Sequence, residues 1–253
     1  MTMIEVPDMR FATGIEGARD MVVPTSEVFG PTLQGEGPYA GRPVQFLRTM
    51  GCNLSCSWCD TPYTWDGQRF DLQKENLGLT GGEIAQLLQP GTDLVLSGGE
   101  PLLHQANAGL LYALDAAREL GCRVHVETNG TIAPTTDFMA RCSIWMVSPK
   151  MPHAGVHRGK QNPALNPAWP EIARWNWHAH LKVVVRNATD VMEVFGWAEQ
   201  IGWPKSRVWV MPIGTTSEEL LARWEEIASM AAQLRINATQ RLHVLAWGDT
   251  KGT

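Results

Sequence analysis

No stretch of the 253 residues stays apolar for the roughly 18–20 positions that a membrane span needs. Neither sign of charge dominates. Twenty-one Lys and Arg against 26 Asp and Glu leave a formal net charge of −5, too acidic for a polyanion-binding face, so nucleic acid is not an expected partner. There is no internal repeat, low-complexity tract or evident linker, and Met1 to Asp20 lacks the apolar h-region of a signal peptide. These absences point to a soluble, cytoplasmic chain with no membrane partner. Charged residues at 19% beside 44% hydrophobic residues suit one packed core and exclude a mostly disordered chain. The expected organisation is an N-terminal extension over residues 1–25 and one domain over 26–253. Cysteine is scarce, with five residues, an odd number that does not fit a secreted disulfide framework.

What is present is an alternation. Val44–Thr49, Asp93–Ser97, Arg123–Glu127, Ser143–Ser148, Leu181–Arg186 and Arg207–Met211 are short apolar runs of the kind that parallel strands buried on both faces require. Segments of helical period lie between them. Thr80-Gly-Gly-Glu83 is a capping box ahead of Ile84, Leu87 and Leu88. Leu110, Leu114 and Ala117 mark a second helix that Gly121 ends, and Val191, Val194, Phe195 and Ala198 a third. Thr216 to Glu219 opens a fourth, with Leu220, Trp224 and Ile227 facing inward, and Arg241–Ala246 reads as a last strand. Strands alternating with helices imply βαβ units. Six parallel strands fall short of a closed eight-stranded barrel, so the expected fold is α/β, a partial, open β/α barrel. Residues 151–179 interrupt the pattern as a surface excursion, whose Trp169, Trp175 and Trp177 are expected to pack back on the domain.

The distinctive residues follow strand ends: Cys52 to Thr61, Ser97-Gly-Gly-Glu-Pro101, Glu127-Thr-Asn-Gly130, Ser148-Pro-Lys150 and Met211-Pro212. In a β/α barrel all of these meet on one rim, where ligands bind. Three of the five cysteines, Cys52, Cys56 and Cys59, fall in one loop. A tight cluster in a chain of this kind reads as metal binding. Structural zinc usually closes with four ligands, and neither His104 nor Cys122 has zinc-finger spacing. An iron–sulfur cube held by three cysteines keeps one iron open to another ligand. Cys122 and Cys142 stand alone in apolar surroundings and read as buried small hydrophobes.

Cys52-x3-Cys56-x2-Cys59, with Trp58 before the last cysteine, resembles the motif of the radical S-adenosylmethionine enzymes, and Ser97-Gly-Gly-Glu-Pro101 resembles their glycine-rich element. Within them, Leu33-Gln-Gly-Glu-Gly37, Phe46-Leu-Arg48, Cys59-Asp-Thr61, Glu127-Thr-Asn-Gly130, Ser148-Pro-Lys150 and His243 resemble the 7-carboxy-7-deazaguanine synthases, from about Val28 onward. Ser97 stands where that family has threonine, and the chain runs ten residues past His243.

The resemblance implies a lyase that converts 6-carboxy-5,6,7,8-tetrahydropterin to 7-carboxy-7-deazaguanine with loss of ammonia, in 7-deazapurine (queuosine-type) biosynthesis. It implies a [4Fe-4S] cluster on Cys52, Cys56 and Cys59, S-adenosylmethionine, whose cleavage gives a 5′-deoxyadenosyl radical, and Mg2+ held by Thr61. Trp58, Cys59, Asp60, Gly99, Ser148, Pro149, Lys150, Met211 and Pro212 would contact S-adenosylmethionine. Leu33, Gln34, Gly35, Glu36, Arg48, Ser97 and His243 would line the pterin site. Further implied partners are an electron donor such as flavodoxin or ferredoxin and a second copy in a homodimer. A glycyl-radical activase and a zinc-stabilised binding module are the competing readings.

Overall fold

A computed structural model describes residues 16–157 and 164–252. The strands are β1 (Val22–Val23), β2 (Thr25–Leu33), β3 (Pro43–Thr49), β4 (Leu79–Thr80), β5 (Asp93–Gly98), β6 (Val124–Thr128), β7 (Ile144–Val147), β8 (Ala179–Val185), β9 (Val208–Pro212) and β10 (Asn237–Ala238). Eight form one sheet in the order β10-β9-β8-β7-β6-β5-β3-β2, parallel except where β2 pairs antiparallel to β3. All six expected strands are present. The two additions are edges: β10, only two residues long, and β2, whose Gly30, Pro31 and outward polar residues disguise a strand.

Helices α1 (Leu72–Glu75), α2 (Gly81–Leu87), α3 (Ala108–Glu119), α4 (Thr136–Met139), α5 (Ala168–Trp175), α6 (Ala188–Gln200), α7 (Ser217–Leu234) and α8 (Leu242–Trp247) complete the described chain. Both halves of the capping box form at α2. Glu83 N–H donates to the Thr80 hydroxyl at 3.2 Å, and Thr80 N–H donates to the Glu83 carboxylate at 2.8 Å. The apolar faces of α2, α3, α6 and α7 bury Ile84, Leu110, Leu114, Val191, Val194, Leu220 and Ile227 in or against the sheet's core, while Trp224 is only half-buried. Cys122 lies in that core and Cys142 packs against it. Among the described residues no helix is long and apolar enough to cross a membrane.

Three expectations need correction. Arg241–Ala246 is not a strand, because Leu242–Trp247 forms α8. Its burial recurs at Arg241 and Val244, three apart, which suits a helical turn and not an alternating strand. Of the excursion's tryptophans, Trp169 is fully buried, whereas Trp175 and Trp177 are 61% and 80% exposed. The boundary at residue 25 falls inside the packed body, since Ala18 and Val23 are buried core residues and β1 pairs with β4.

The loop between β2 and β3 positions the site. Gln34 N–H donates to Arg42 carbonyl at 2.8 Å and Gly41 N–H to Gln34 carbonyl at 2.7 Å, closing residues 34–42 into a compact turn. That turn folds against the inner side of β6–β8. Gly37, with φ of 70°, sits so close to β7 that a side-chain carbon would lie 2.7 Å from Met146 Cε. The Tyr39 ring meets His125 of β6 at 5.0 Å and His180 of β8 at 6.3 Å.

Candidate active site

One cavity opens at the carboxyl ends of the parallel strands. Its wall includes Cys52, Cys56 and Cys59 together with Gln34, Glu36, Glu127, Lys150, Lys182, Arg241 and His243. An adjoining cavity shares Trp58, Cys59, Asp60, Met211 and Arg241, and adds Pro212 and the turn at Gly214.

The cysteine loop is held from beneath. Gly51 N–H donates to Thr64 carbonyl at 2.8 Å, Glu100 N–H to Gly51 carbonyl at 2.8 Å, and Ser57 N–H to Ala154 carbonyl at 2.9 Å. Ser55 N–H donates to His157 Nδ1 at 2.9 Å. Gly99 allows this approach, because a Cβ there would lie 1.9 Å from Gly51 oxygen and 3.0 Å from Cys52 Cβ. The Glu100 carboxylate, fully buried at the end of β5, accepts from Leu102 N–H (3.0 Å), Thr128 hydroxyl (2.7 Å) and Asn129 N–H (2.7 Å). It therefore ties the glycine-rich element to the end of β6.

Cys52, Cys56 and Cys59 are free thiols packed with Leu54, Trp58 and Ala154. Burial pushes the Cys52 thiol up to about 12 and raises Cys56 as well. The Trp58 indole N–H, in the same cluster, is buried without a hydrogen-bond partner. Among the described residues no three Cys, His, Asp or Glu side chains converge to hold a single ion. A cube would take each thiolate at a different iron and needs no such convergence, so three thiols lining one cavity fit it. Binding also supplies the positive charge that buried thiolates lack. Thr61 reaches the same cavity, with its hydroxyl 3.7 Å from Cys59 Sγ, and offers the oxygen donor that a hard ion takes.

The same cavity carries a charge network. Glu36 pairs with Lys182 through one carboxylate oxygen, and its other oxygen accepts from Arg241 Nε at 3.1 Å. Burial works to raise the Glu36 carboxyl, but Lys182, Arg241 and His243 outweigh it and hold the group well below the usual carboxylate range. Lys182 also lies 3.4 Å from Glu127 Oε1. Glu127 accepts from Gln34 at 3.4 Å and from Ser97 at 3.3 Å. Arg241 pairs with Asp60 and donates to Gly214 carbonyl at 2.6 Å.

Most expected residues thus share this space. Leu33, Gln34, Glu36, Arg48, Ser97 and His243 line the main cavity, as do Trp58, Asp60, Thr61, Gly99, Ser148, Lys150 and Met211. Lys150 donates to Ser148 at 3.0 Å and lies 5.6 Å from the Trp58 ring centre. Two expectations differ. Pro149 is not on either cavity wall. Gly35 is not on the main wall but supports it, since a Cβ there would strike His243 Nδ1 at 1.9 Å. Arg48 lines the cavity while bonded to Glu27 at 2.7 Å, a carboxylate oxygen that Tyr63 hydroxyl also donates to at 2.8 Å. Sequence reasoning passed over Lys182 and Arg241, and placed Glu127 and Asn129 in a motif without giving either a role. A lysine inside the apolar run Leu181–Val185 was a usable signal, because a buried cation demands partners. Arg241 carried none.

Three thiols at the carboxyl rim of an open parallel barrel define a radical S-adenosylmethionine protein, and residues 46–225 match the model of the Radical SAM superfamily. Several relatives are named 7-carboxy-7-deazaguanine synthase. That of Hyperthermus butylicus is 37% identical over 90% of this chain and 94% of its own length. That of Pyrobaculum aerophilum is 36% identical over 89% and 95%. The crystal structure of QueE from Escherichia coli shares the fold at a TM-score of 0.59 and 22% identity, covering 88% of this chain and 95% of that one. The chain belongs to the 7-carboxy-7-deazaguanine synthase family.

Proposed function

We propose that the protein converts 6-carboxy-5,6,7,8-tetrahydropterin to 7-carboxy-7-deazaguanine with release of ammonia, as a radical S-adenosylmethionine lyase of 7-deazapurine biosynthesis. The observation that carries this reading is one cavity lined both by the three thiols and by the Gln34, Glu36 and Glu127 network. It provides one place for the cluster and another for a flat, donor-rich heterocycle. When bound, the cluster and S-adenosylmethionine supply the abstraction of a hydrogen atom from C6 of the pterin.

The chain's own residues bind, orient and exclude water. Cys52, Cys56 and Cys59 hold the cluster. Trp58, Asp60, Gly99, Ser148, Lys150, Met211 and Pro212 position S-adenosylmethionine. Glu36, held ionised by two cations, accepts from the amidine-like N–H groups of the pterin. Gln34 and Ser97 orient Glu127 toward the same space, and His243, seated on Gly35, closes that end. Arg48 presents a guanidinium, already fixed by Glu27, to the substrate carboxylate. Thr61 would give one oxygen to Mg2+, a hard ion that would supply positive charge to the substrate carboxylate. An electron donor of the flavodoxin or ferredoxin type and a homodimeric state belong to the same reading.

The test is anaerobic incubation of cluster-loaded protein with reductant, S-adenosylmethionine, Mg2+ and the carboxytetrahydropterin. Appearance of the deazapurine and ammonia in equal amounts is expected. Hydrogen abstraction without ring contraction would sink the assignment.

A further inference from the structure

Among the described residues, Arg241 is the one cation that lines both cavities. It is 7% exposed. Its Nε faces Glu36 on the pterin side, one Nη pairs with Asp60 beside Cys59, and the other Nη donates to Gly214 carbonyl in the turn after β9. Three loops far apart in the chain therefore meet on one planar group. The flanking groups are Lys182 and the His243 imidazole around Glu36, with Arg48 and Asp249 near Asp60; His243 lies 4.0 Å from Glu36 and 3.4 Å from Arg241.

From this geometry we infer that Arg241 is a positioning residue that couples pterin binding to S-adenosylmethionine binding. The inference rests on the proposed function. A guanidinium has separate N–H groups for several acceptors but only one charge to share among them. Pterin N–H groups arriving at Glu36 compete for the oxygen that accepts from Arg241 Nε. As Glu36 turns to the pterin, the guanidinium is left to Asp60 and Gly214, which steadies the loop after Cys59 and the turn that borders the second cavity. S-adenosylmethionine then meets an ordered wall. Linkage requires the reverse effect to be equal: the cofactor must tighten pterin binding by the same factor.

The experiment measures S-adenosylmethionine affinity by anaerobic calorimetry on cluster-loaded protein, with and without saturating carboxytetrahydropterin. The wild type, Arg241→Gln and Arg241→Lys are compared. Pterin should tighten the wild-type cofactor Kd by about 5-fold or more, the lower end of ordinary coupling. In Arg241→Gln the ratio should fall to nearly 1. Arg241→Lys, which keeps the charge but not the fork, should lose most of the ratio and serves if the glutamine variant does not fold. A purely structural role would weaken both affinities and leave their ratio intact. A wild-type ratio near 1, or an unchanged ratio in either folded variant, overturns the inference while leaving the proposed function standing. Failure of the wild type to bind the pterin at all overturns both.

Discussion

Glu36 shows how a single carboxylate can be made dependable. Its burial alone would favour the neutral acid, yet Lys182 and Arg241 sit on its two oxygens and keep it charged. An ionised acceptor is what a guanine-like edge of adjacent N–H groups needs. Glu36→Gln keeps the size and removes that acceptor. A hydrogen bond to a charged partner is worth about 1.5–3 kcal/mol, so kcat/KM for the pterin should drop by roughly one to two orders of magnitude. Slow S-adenosylmethionine cleavage without pterin should persist, because the three thiols are untouched. Deoxyadenosine measured with and without pterin checks this, and its loss in both conditions would place Glu36 at the cofactor instead. Lys182 was legible in principle as a lone cation in an apolar strand, but its partner Glu36 lies 146 residues earlier in the chain. No local pattern reports such a pair.

At the scale of elements, the site is built from strand ends and the loops that follow them. The end of β5 is the clearest case. Gly98 has φ of 144°, a conformation that side chains rarely adopt, and Gly99 lies against the Gly51–Cys52 backbone. The sequence marks this element, and the resemblance implies that Gly99 contacts S-adenosylmethionine. The structure adds that Gly99 first admits the cysteine loop. Gly99→Ala must therefore push that loop outward, at a cost of about 1–3 kcal/mol for overpacking. Iron retained after reconstitution should fall while far-ultraviolet circular dichroism stays near that of the wild type. Full iron content in the variant would show that the loop can yield. The parallel strands were readable because burial on both faces leaves continuous apolar runs. The antiparallel edge β2, half exposed, and the helix α8 were not.

For the whole molecule, buried histidines make stability depend on pH. His180, at the start of β8, is driven down to about 4, chiefly by burial and further by Arg207 and His178. The folded protein keeps it neutral while the unfolded chain takes up a proton near 6.5. Its contribution is thus fully present above that value and is lost as pH falls from about 6.5 toward 4. Between pH 7.5 and 5 the loss is on the order of 2 kcal/mol. Urea unfolding at the two pH values should show a difference smaller by that amount in His180→Gln than in the wild type. An equal pH dependence in both would mean that His180 does not titrate differently on folding.

The sequence by itself determined the sheet's parallel core, the capped helices, the thiol loop and the rim on which the chemistry gathers. Each depends on near neighbours: apolar runs, capping residues, and cysteines within one loop. Only the tertiary structure decided that residues 34–42 fold inside β6–β8, and that Arg241 joins Glu36 to Asp60 across 205 and 181 residues. The first is packing of a turn on strands and the second is ion pairing between segments, and both form only once the barrel has brought them together. Their geometry follows from packing, which local patterning does not encode.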